Sequence, residues 1–386
     1  MIDANLRQQM SFVKKMYRTP TILPSRVEYL RVELQEFPST RYQGSKRKII
    51  PWLWSCLREL DFSSVLDVFG GTGSVSFLFK KMGKEVTYND SLQFNHQIGL
   101  ALIENNNVIL EKEDIDRVQL SDPKAKNHFV RDTFGGIYFT DEENEWIDNV
   151  ITGINEIELE PGEMIYKRAL LYHALFQSCL IKRPFNLFHR HNLHLRFASV
   201  NRGFGNKTSW DKPFSEHFAG FCAEANKLVF AGQKPCQAIR YDALDLPDSR
   251  YDLVYIDPPY LKKGGKNESS DYLRCYHFLE GLCNYDVWSN LIDYDSPNRR
   301  MKQMHKNRWI SCEHNRKAFD AFFEKFADSI IVVSYKKFGV PSIDTLIRML
   351  KRHGKRVRTH SRHYKYALNH QNGQAKLNRE VILIGE

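Results

Sequence analysis

The sequence lacks the marks of membrane, secreted and disulfide-rich proteins. It has no run of about 18 or more apolar residues, the length that a membrane-spanning helix needs. Its N-terminus, MIDANLRQQMSFVKKMYR, has no compact apolar segment and no small-residue cleavage site, so we expect no secretory signal. Its seven cysteines are odd in number and form no CxxC pair, which favours reduced thiols over disulfides or zinc ligands. These absences predict a cytoplasmic protein without a membrane partner.

Two familiar nucleotide-binding signatures are missing as well. The glycine turn DVFGGTGS, residues 67–74, is not GxGxxG, and no GK[ST] follows it, so neither NAD nor ATP is the first choice of ligand. Three neighbouring histidines, His189, His191 and His194, have no acidic residue beside them. We therefore expect no metal site.

What the sequence does have is length, apolar content and positive charge. Its 386 residues are 42% hydrophobic, enough for a sizeable core and more than one domain of ordinary size. The formal net charge of +10 is concentrated in two stretches, 299–308 and 351–365. A polyanion partner is the natural expectation, nucleic acid before membrane. Solvated surface faces remain the alternative for either stretch.

Alternating strand and helix patterns at both ends of the chain predict an α/β fold. SSVLDVF and EVTYND are strand-like and flank the glycine turn and the helical VSFLFKKMG, which makes one βαβ unit. Later strand patterns are CQAIRYDALDL, YDLVYIDPPY, SIIVVSYKK and REVILIGE, with helical AFDAFFEKFA and SIDTLIRMLKRHG among them. We expect a doubly wound, mostly parallel sheet that binds its ligand at the carboxyl ends of the strands.

The middle of the chain breaks this pattern. It holds helical segments such as TDEENEWIDNVITGI and MIYKRALLYHALFQSCL, followed by an irregular basic stretch. Its length far exceeds that of an ordinary connection. We predict that residues 1–100 and 236–386 are two parts of one catalytic domain, and that residues 101–235 are an inserted, mainly helical domain.

Acidic residues stand at the ends of the first two predicted strands. Asp67 closes the first and Asp90 follows the second, where a carboxylate can accept hydrogen bonds from ribose hydroxyls. The glycines at 70–73 let a ligand lie against bare backbone. Two acids suit an adenosine with an amino-acid tail better than a pyrophosphate, which they would repel.

The tetrad DPPY, residues 257–260, has a chemical use beside such a ligand. The exocyclic amine of a nucleobase is a poor nucleophile because its lone pair is delocalised into the ring. Hydrogen bonds to the Asp257 carboxylate and the Pro258 carbonyl would draw the nitrogen toward tetrahedral geometry and free that lone pair for a methyl group. Pro259 fixes the backbone, and Tyr260 can stack on the base.

The ordered set RYQGSKRK, DVFGGTGS, TYND, RYDA, DPPY and VVSY resembles the alpha-group, Dam-like N6-adenine DNA methyltransferases. The resemblance covers about residues 41–100 and 236–386, and GGTG replaces the more usual alanine-containing turn. It implies a Rossmann-like methyltransferase fold, S-adenosylmethionine as the methyl donor, and target recognition by the inserted domain.

The resemblance also implies roles for individual residues. The catalytic loop would be Asp257, Pro258, Pro259 and Tyr260. The cofactor would be bound by Tyr42, Lys46, Asp67, Phe69, Gly71, Gly73, Asp90, Asp242, Ala243 and Asp257. HYKYALN, residues 363–369, resembles the family's late motif that borders the target base.

Contacts to double-stranded DNA are expected from the basic, aromatic stretch at 181–197 and from the loop after DPPY. The candidates for phosphates and base edges are Lys182, Arg183, Asn186, Arg190, Asn192, Arg196, Lys262 and Lys263. A packed basic hairpin with only structural duties remains the alternative for the first stretch. The loop 261–272 is either a mobile lid or a surface loop.

Together these patterns predict a site-specific adenine-N6 DNA methyltransferase that flips its target base, the modification enzyme of a restriction–modification system. A cognate restriction endonuclease and a nucleoid location would follow. The alternatives are an N4-cytosine or RNA-base methyltransferase, which would use the same amine chemistry, and an inactive DNA-binding protein. KPCQ, residues 234–237, resembles the nucleophile loop of cytosine-C5 methyltransferases, but we interpret Cys236 as the start of a strand.

Overall fold

A twisted sheet of seven strands forms the centre of the computed structural model, which describes residues 37–39, 41–120, 128–157, 160–198, 206–262, 270–302, 307–364 and 378–386. Its strand order is β3-β2-β1-β4-β5-β7-β6. The strands are β1 (Ser64–Asp67), β2 (Glu85–Asn89), β3 (Cys236–Ile239), β4 (Leu253–Ile256), β5 (Ile330–Lys336), β6 (Val357–His363) and β7 (Arg379–Gly385). β7 runs antiparallel to β5 and β6, whereas the pairs among β1 to β5 are parallel.

The predicted fold class is confirmed: the sheet is mostly parallel and doubly wound. From β1 the chain moves to β2 and β3 on one side, then returns to β4 and β5 on the other. The switch point therefore lies between β1 and β4, where Asp67 pairs with Tyr255. Every residue of Leu253–Ile256 is buried, as expected for a central strand covered on both faces.

Helices cover the sheet and fill the long connections. They are α1 (Ile50–Leu57), α2 (Ser74–Lys81), α3 (Gln93–Gly99), α4 (Lys112–Gln119), α5 (Phe129–Phe134), α6 (Asp141–Glu156), α7 (Pro161–Ile181), α8 (His194–Phe197), α9 (Asn206–Asp211), α10 (Phe214–Leu228), α11 (Tyr272–Cys283), α12 (Trp288–Leu291), α13 (Asn315–Lys325) and α14 (Ile343–Arg352). Among the described residues, no helix is long and apolar enough to cross a membrane.

The turn between β1 and α2 requires its glycines. Gly71 and Gly73 have φ angles of 51° and 71°, a region that side chains disfavour. Gly70 lies against the ring of Tyr88, and a Cβ atom at that position would overlap the ring. The Tyr88 hydroxyl in turn donates to the Gly71 carbonyl oxygen at 2.7 Å. The turn is therefore held open and close to β2.

The helical part of the molecule draws on two separate stretches of chain. Helices α4 to α10 lie between β2 and β3, as the sequence predicts, but α11 and α12 follow β4 and pack with them. Phe278 of α11 stacks on Phe188 with ring centroids 5.0 Å apart. The predicted boundaries at residues 101 and 235 stay predictions.

Two strands differ from the sequence pattern. β6 was not expected, because its residues are mostly exposed and basic, and an edge strand needs no apolar alternation. The strand predicted over CQAIRYDALDL ends at Ile239, because Asn89 accepts a hydrogen bond from the backbone amide of Tyr241 at 2.9 Å. That contact leads the chain from β3 across the end of β2.

Candidate active site

A cavity lies at the carboxyl ends of β1, β2 and β4, next to the switch point. Its walls include most of the residues predicted for the cofactor: Tyr42, Lys46, Asp67, Phe69, Gly71, Asp90, Asp242, Ala243 and Asp257. Pro259 also lines it. Gly73, Pro258 and Tyr260 are not among its lining residues, and Gly73 instead caps the start of α2.

Asp67 lines this cavity, and one of its carboxylate oxygens is buried without a hydrogen-bond partner among the described residues. The side chain is buried, and its Oδ2 accepts a hydrogen bond from Ser76 Oγ at 2.6 Å. Its Oδ1 has no hydrogen-bond partner within the described part of the chain. The pKa of Asp67 is raised to about 7, chiefly by burial, with the Ser76 hydrogen bond opposing the rise and the carboxylates of Asp257 and Asp90 adding to it. A cationic ligand group would satisfy this oxygen and favour its ionised form.

Asp90 is fixed by backbone amides at the end of β2. Its Oδ2 accepts from the Gly71 amide at 3.0 Å, and its Oδ1 accepts from the Leu92 amide at 2.9 Å. Each carboxylate oxygen has a second lone pair, which leaves acceptor capacity for hydroxyl groups. Burial raises the pKa of Asp90, while those amide contacts lower it.

An acid and two aromatic rings form the side of the cavity near β3. Asp242 Oδ1 accepts from the Leu244 amide at 2.9 Å and lies 3.8 Å from the Arg308 guanidinium. Phe69 packs edge-on against the buried Trp309, with centroids 5.0 Å apart. The structure thus places two aromatic side chains beside a hydrogen-bond acceptor, a combination that suits a purine ring.

Three tyrosines stack on the opposite side. Tyr42 lies parallel to Tyr276 at 4.5 Å and to Tyr272 at 5.3 Å. Tyr272 was not predicted as a site residue, although it lines the cavity from the first turn of α11. A Cβ atom at Gly44 would lie 2.7 Å from the Tyr272 hydroxyl, so the motif RYQGSKRK needs glycine there.

Asp257 lies in a polar cluster. The Lys46 ammonium is 2.7 Å from Asp257 Oδ1 and 2.6 Å from Oδ2. The Tyr260 hydroxyl donates to Asp257 Oδ1 at 2.7 Å and accepts from Lys46 at 3.0 Å. Burial raises the pKa of Asp257, and the charge of Lys46 opposes that rise.

Glu380 completes the cluster, and the sequence interpretation missed it. It lies on β7, is 1% exposed, and its Oε1 is 3.3 Å from the Lys46 ammonium and 2.8 Å from the Tyr260 hydroxyl. Ser334 of β5 donates to the same oxygen at 3.1 Å. We call Lys46, Asp257, Tyr260 and Glu380 the lysine–carboxylate cluster.

Comparison with known proteins decides the family. Residues 42–336 match the family of D12 class N6 adenine-specific DNA methyltransferases. The chain belongs to this family. The matched range contains the residues that line the cavity and both stretches of chain that form the helical region. The predicted resemblance, function and enzyme class are therefore confirmed. Adenine-N6 is favoured over the N4-cytosine alternative.

Named relatives are type II methyltransferases. This adenine methyltransferase is 27% identical to M2.HphI of Haemophilus parahaemolyticus over 329 residues, covering 83% of this chain and 90% of the relative. It is 25% identical to M.NlaIII of Neisseria lactamica, with 84% and 92% covered. Against M.FokI of Planomicrobium okeanokoites it is 24% identical, over 89% of this chain but only 52% of the relative's length.

Three of the methyltransferase's predicted DNA contacts are buried. Lys182 and Arg196 both pair with Glu143, at 2.8 Å and 2.6 Å. Arg183 is 1% exposed, donates to the carbonyl oxygens of Leu187 and Arg190, and lies over the Tyr138 ring. Their positive charges are used inside the helical region, which argues against the predicted contacts with phosphate.

The remaining candidates lie nearer the surface. Arg190 and Lys262 are exposed, and Asn186 and Asn192 are half-buried with φ angles of 56° and 59°. Lys263 falls outside the described residues, as does HYKYALN from Lys365 onward. The DNA roles of these residues stay predictions.

Arg190 belongs to a surface that two distant segments build together. Segments 187–192 and 293–300 meet at the buried Tyr138 hydroxyl, which lies 2.7 Å from the Phe188 carbonyl oxygen and 2.8 Å from that of Asn298. They enclose an open depression, the basic depression, lined by His189, Arg190, His191, Arg274, Asp293, Asp295, Ser296, Pro297, Asn298 and Arg300. Arg274 follows Tyr272 and Leu273, which line the cavity, so depression and cavity are neighbours on α11.

The second basic stretch begins on α14 and continues along β6. The end of α14 and the start of β6 lie at the end of the sheet away from the cavity, where Arg352 pairs with Asp320 and Arg358 pairs with Glu386. Cys236 begins β3, the opposite edge strand, and also lies at the end of the strands away from the cavity; burial raises the pKa of its thiol. Our interpretation of Cys236 as the start of a strand is confirmed.

Proposed function

We propose that this protein transfers a methyl group from S-adenosylmethionine to N6 of an adenine flipped out of duplex DNA. The observation that carries the proposal is the juxtaposition of Asp67 and Asp257 on one cavity. The first has an unpaired buried oxygen suited to a cation, and the second stands in DPPY beside a fixed ammonium group.

The donor set suits this cofactor. S-adenosylmethionine would supply an electrophilic methyl group on a positively charged sulfur. Asp67 would receive its ammonium group, and Asp90 the ribose hydroxyls. Asp242 and the wall of Phe69 and Trp309 would bind the purine. A pyrophosphate would meet three carboxylates and be repelled.

The DPPY loop prepares the target amine. Asp257 and the Pro258 carbonyl would each accept one of its hydrogens, leaving the lone pair for the methyl carbon. As the N–C bond forms and the C–S bond of the donor breaks, which would leave S-adenosylhomocysteine, positive charge grows on nitrogen and the Asp257 carboxylate would stabilise it. One proton would then pass from the nitrogen to Asp257 or to water. No covalent bond to the protein is needed.

Tyr260 has to change its surroundings for base stacking. The ammonium groups of Lys46 and Lys336 lie 5.0 Å and 5.6 Å from its ring centre. A stacked adenine would take the place of one of them. Extrusion of a base costs a few kcal/mol, and stacking on an aromatic ring returns about 1–3 kcal/mol, so backbone contacts supply the rest.

The basic depression, beside the cavity, is the best-placed surface for the flanking DNA. Arg190 and Arg274 could contact phosphates or guanine edges there, and Arg300 could do so beside its partner Asp293. Asn192 and Lys262 are further candidates for DNA contacts. The type II relatives support the further proposal of a cognate restriction endonuclease at the same site. Its DNA substrate would put the protein at the nucleoid.

The test compares Asp257→Ala with Glu324→Ala, a surface carboxylate on α13. Each purified protein is titrated with the cofactor by calorimetry and assayed with radiolabelled methyl donor and duplex DNA. We expect Asp257→Ala to bind cofactor but transfer no methyl group, and Glu324→Ala to match the unaltered protein. Full activity in Asp257→Ala would reject the mechanism.

A further inference from the structure

Lys46 cancels the charge on which the proposed chemistry depends. Its ammonium contacts both oxygens of Asp257, at 2.7 Å and 2.6 Å, and its side chain is 7% exposed. A carboxylate paired this closely with a cation has little net field left for a second positive charge. Yet the target amine becomes positive during methyl transfer, next to Asp257.

Glu380 restores the balance. Of the three charged groups in the lysine–carboxylate cluster, two are carboxylates and one is an ammonium, which leaves one net negative charge. Glu380 Oε1 lies 3.3 Å from the same Lys46 ammonium. Lys336 lies farther out, with its ammonium 3.5 Å from the Tyr260 carbonyl oxygen and its pKa lowered by burial to about 8.

The Tyr260 hydroxyl is shared between the two carboxylates. Its oxygen is 2.7 Å from Asp257 Oδ1 and 2.8 Å from Glu380 Oε1, but it has one hydrogen to donate. The hydrogen can therefore turn to Glu380 when another donor arrives at Asp257. Lys46 has the same choice of acceptors.

We propose that Glu380 is a positioning residue that takes over Lys46 and the Tyr260 hydroxyl when the target amine reaches Asp257. Asp257 then accepts from the amine, and its charge faces the nitrogen as the N–C bond forms. Glu380 touches neither base nor cofactor and acts through Lys46 and Tyr260. The inference rests on the proposed function, since it concerns the same amine.

The test uses Glu380→Gln, which keeps the shape and removes the charge. We expect kcat for DNA methylation to fall about 10- to 100-fold, because the lost charge stabilises the amine only indirectly, through Lys46 and Tyr260. The affinity for S-adenosylhomocysteine, measured by calorimetry, should be unchanged. Glu380→Asp should recover part of the rate.

A second variant separates charge balance from a merely structural role. Lys46→Met placed in the Glu380→Gln protein removes the cation that cancels Asp257, so the double variant should be faster than Glu380→Gln alone. If the two substitutions only damaged the fold, their effects would add, and the double variant would be slower than Glu380→Gln. An unchanged kcat in Glu380→Gln, or a slower double variant, would overturn the inference.

A binding measurement gives a readout independent of turnover. Two unmethylated duplexes that contain the sequence recognised by the protein are compared. One has adenine at the target position, and the other has purine, which lacks the amine. The unaltered protein should prefer adenine, and Glu380→Gln should lose that preference. Equal loss of affinity for both duplexes would count against the proposal. If the unaltered protein methylates no adenine, the proposed function fails and this inference with it.

Discussion

At the scale of single residues, the carboxylates at the strand ends do different work because their surroundings differ. Asp67 keeps an oxygen without a partner among the described residues, Asp90 is tied to two amides, and Asp257 is paired with a lysine. The same side chain is thus prepared to meet a cation, a hydroxyl and an amine.

The raised pKa of Asp67 predicts pH-dependent cofactor binding. Below pH 7 the carboxyl is largely protonated in the ligand-free protein, so affinity for an ammonium-bearing ligand should rise between about pH 6 and about pH 8. Asp67→Asn should bind weakly and lose this dependence. Calorimetric titrations with S-adenosylhomocysteine across that range would measure both effects.

The same shift affects stability in the opposite direction. An acid whose folded pKa lies above its unfolded value destabilises the folded state as pH rises through the folded pKa. At about pH 8, ligand-free Asp67→Asn should therefore melt no lower than the unaltered protein. A clearly lower melting temperature would show that Asp67 has a structural role instead.

Cys236 provides a negative prediction at this scale. It lies at the amino end of β3, whereas the cavity lies at the carboxyl ends of the strands, and burial raises its pKa, which disfavours the thiolate. Cys236→Ser should methylate DNA at close to the normal rate in the radiolabel assay. Near-total loss of methylation, with cofactor binding intact, would revive a covalent mechanism.

At the scale of elements, strand ends were the part of the site most visible in the sequence. In parallel strands the carboxyl ends share one edge, so the strand pattern alone was enough to place Asp67, Asp90 and Asp257 together. Glu380 could not be placed in this way, because it stands at the start of its strand. Only the antiparallel direction of β7 brings that start to the same edge.

The burial of basic residues could not be predicted from the sequence either. The stretch 181–197 reads as basic and aromatic, a pattern that fits a DNA surface and a packed interior equally well. Glu143 decides the matter for Lys182 and Arg196, because it sits in the first turn of α6 and pairs with both. No local pattern links a glutamate to basic residues so far along the chain.

A pair of arginine variants tests this division. Arg196→Gln removes the charged hydrogen bonds to Glu143 but leaves Lys182 as its partner, so it should destabilise the protein by about 1.5–3 kcal/mol. Arg190→Ala should leave the melting temperature unchanged and weaken DNA binding. Thermal unfolding and DNA titration of both variants would show the contrast; equal melting temperatures would contradict it.

The basic depression makes a prediction of its own. If Arg190 and Arg274 contact phosphates, replacing either by alanine should reduce the slope of log K against log salt by about one. Arg352→Ala, at the far sheet edge, is the control and should leave the slope unchanged. Equal slopes in all variants would place the DNA elsewhere.

At the scale of the whole molecule, one sheet joins two tasks. Its carboxyl edge holds the cavity, and the first turn of α11 contributes Tyr272 and Leu273 to that cavity and Arg274 to the basic depression. The family match over residues 42–336 spans both. Under the proposed function, the cofactor and the flipped base would therefore lie close to the surface that contacts DNA.

The measurement that tests this most directly is sequencing of cellular DNA with detection of modified bases, from cells with and without the protein. We expect N6-methyladenine at one short sequence, present only when the protein is expressed and lost with Asp257→Ala. N4-methylcytosine at that sequence, or no protein-dependent modified base, would contradict it.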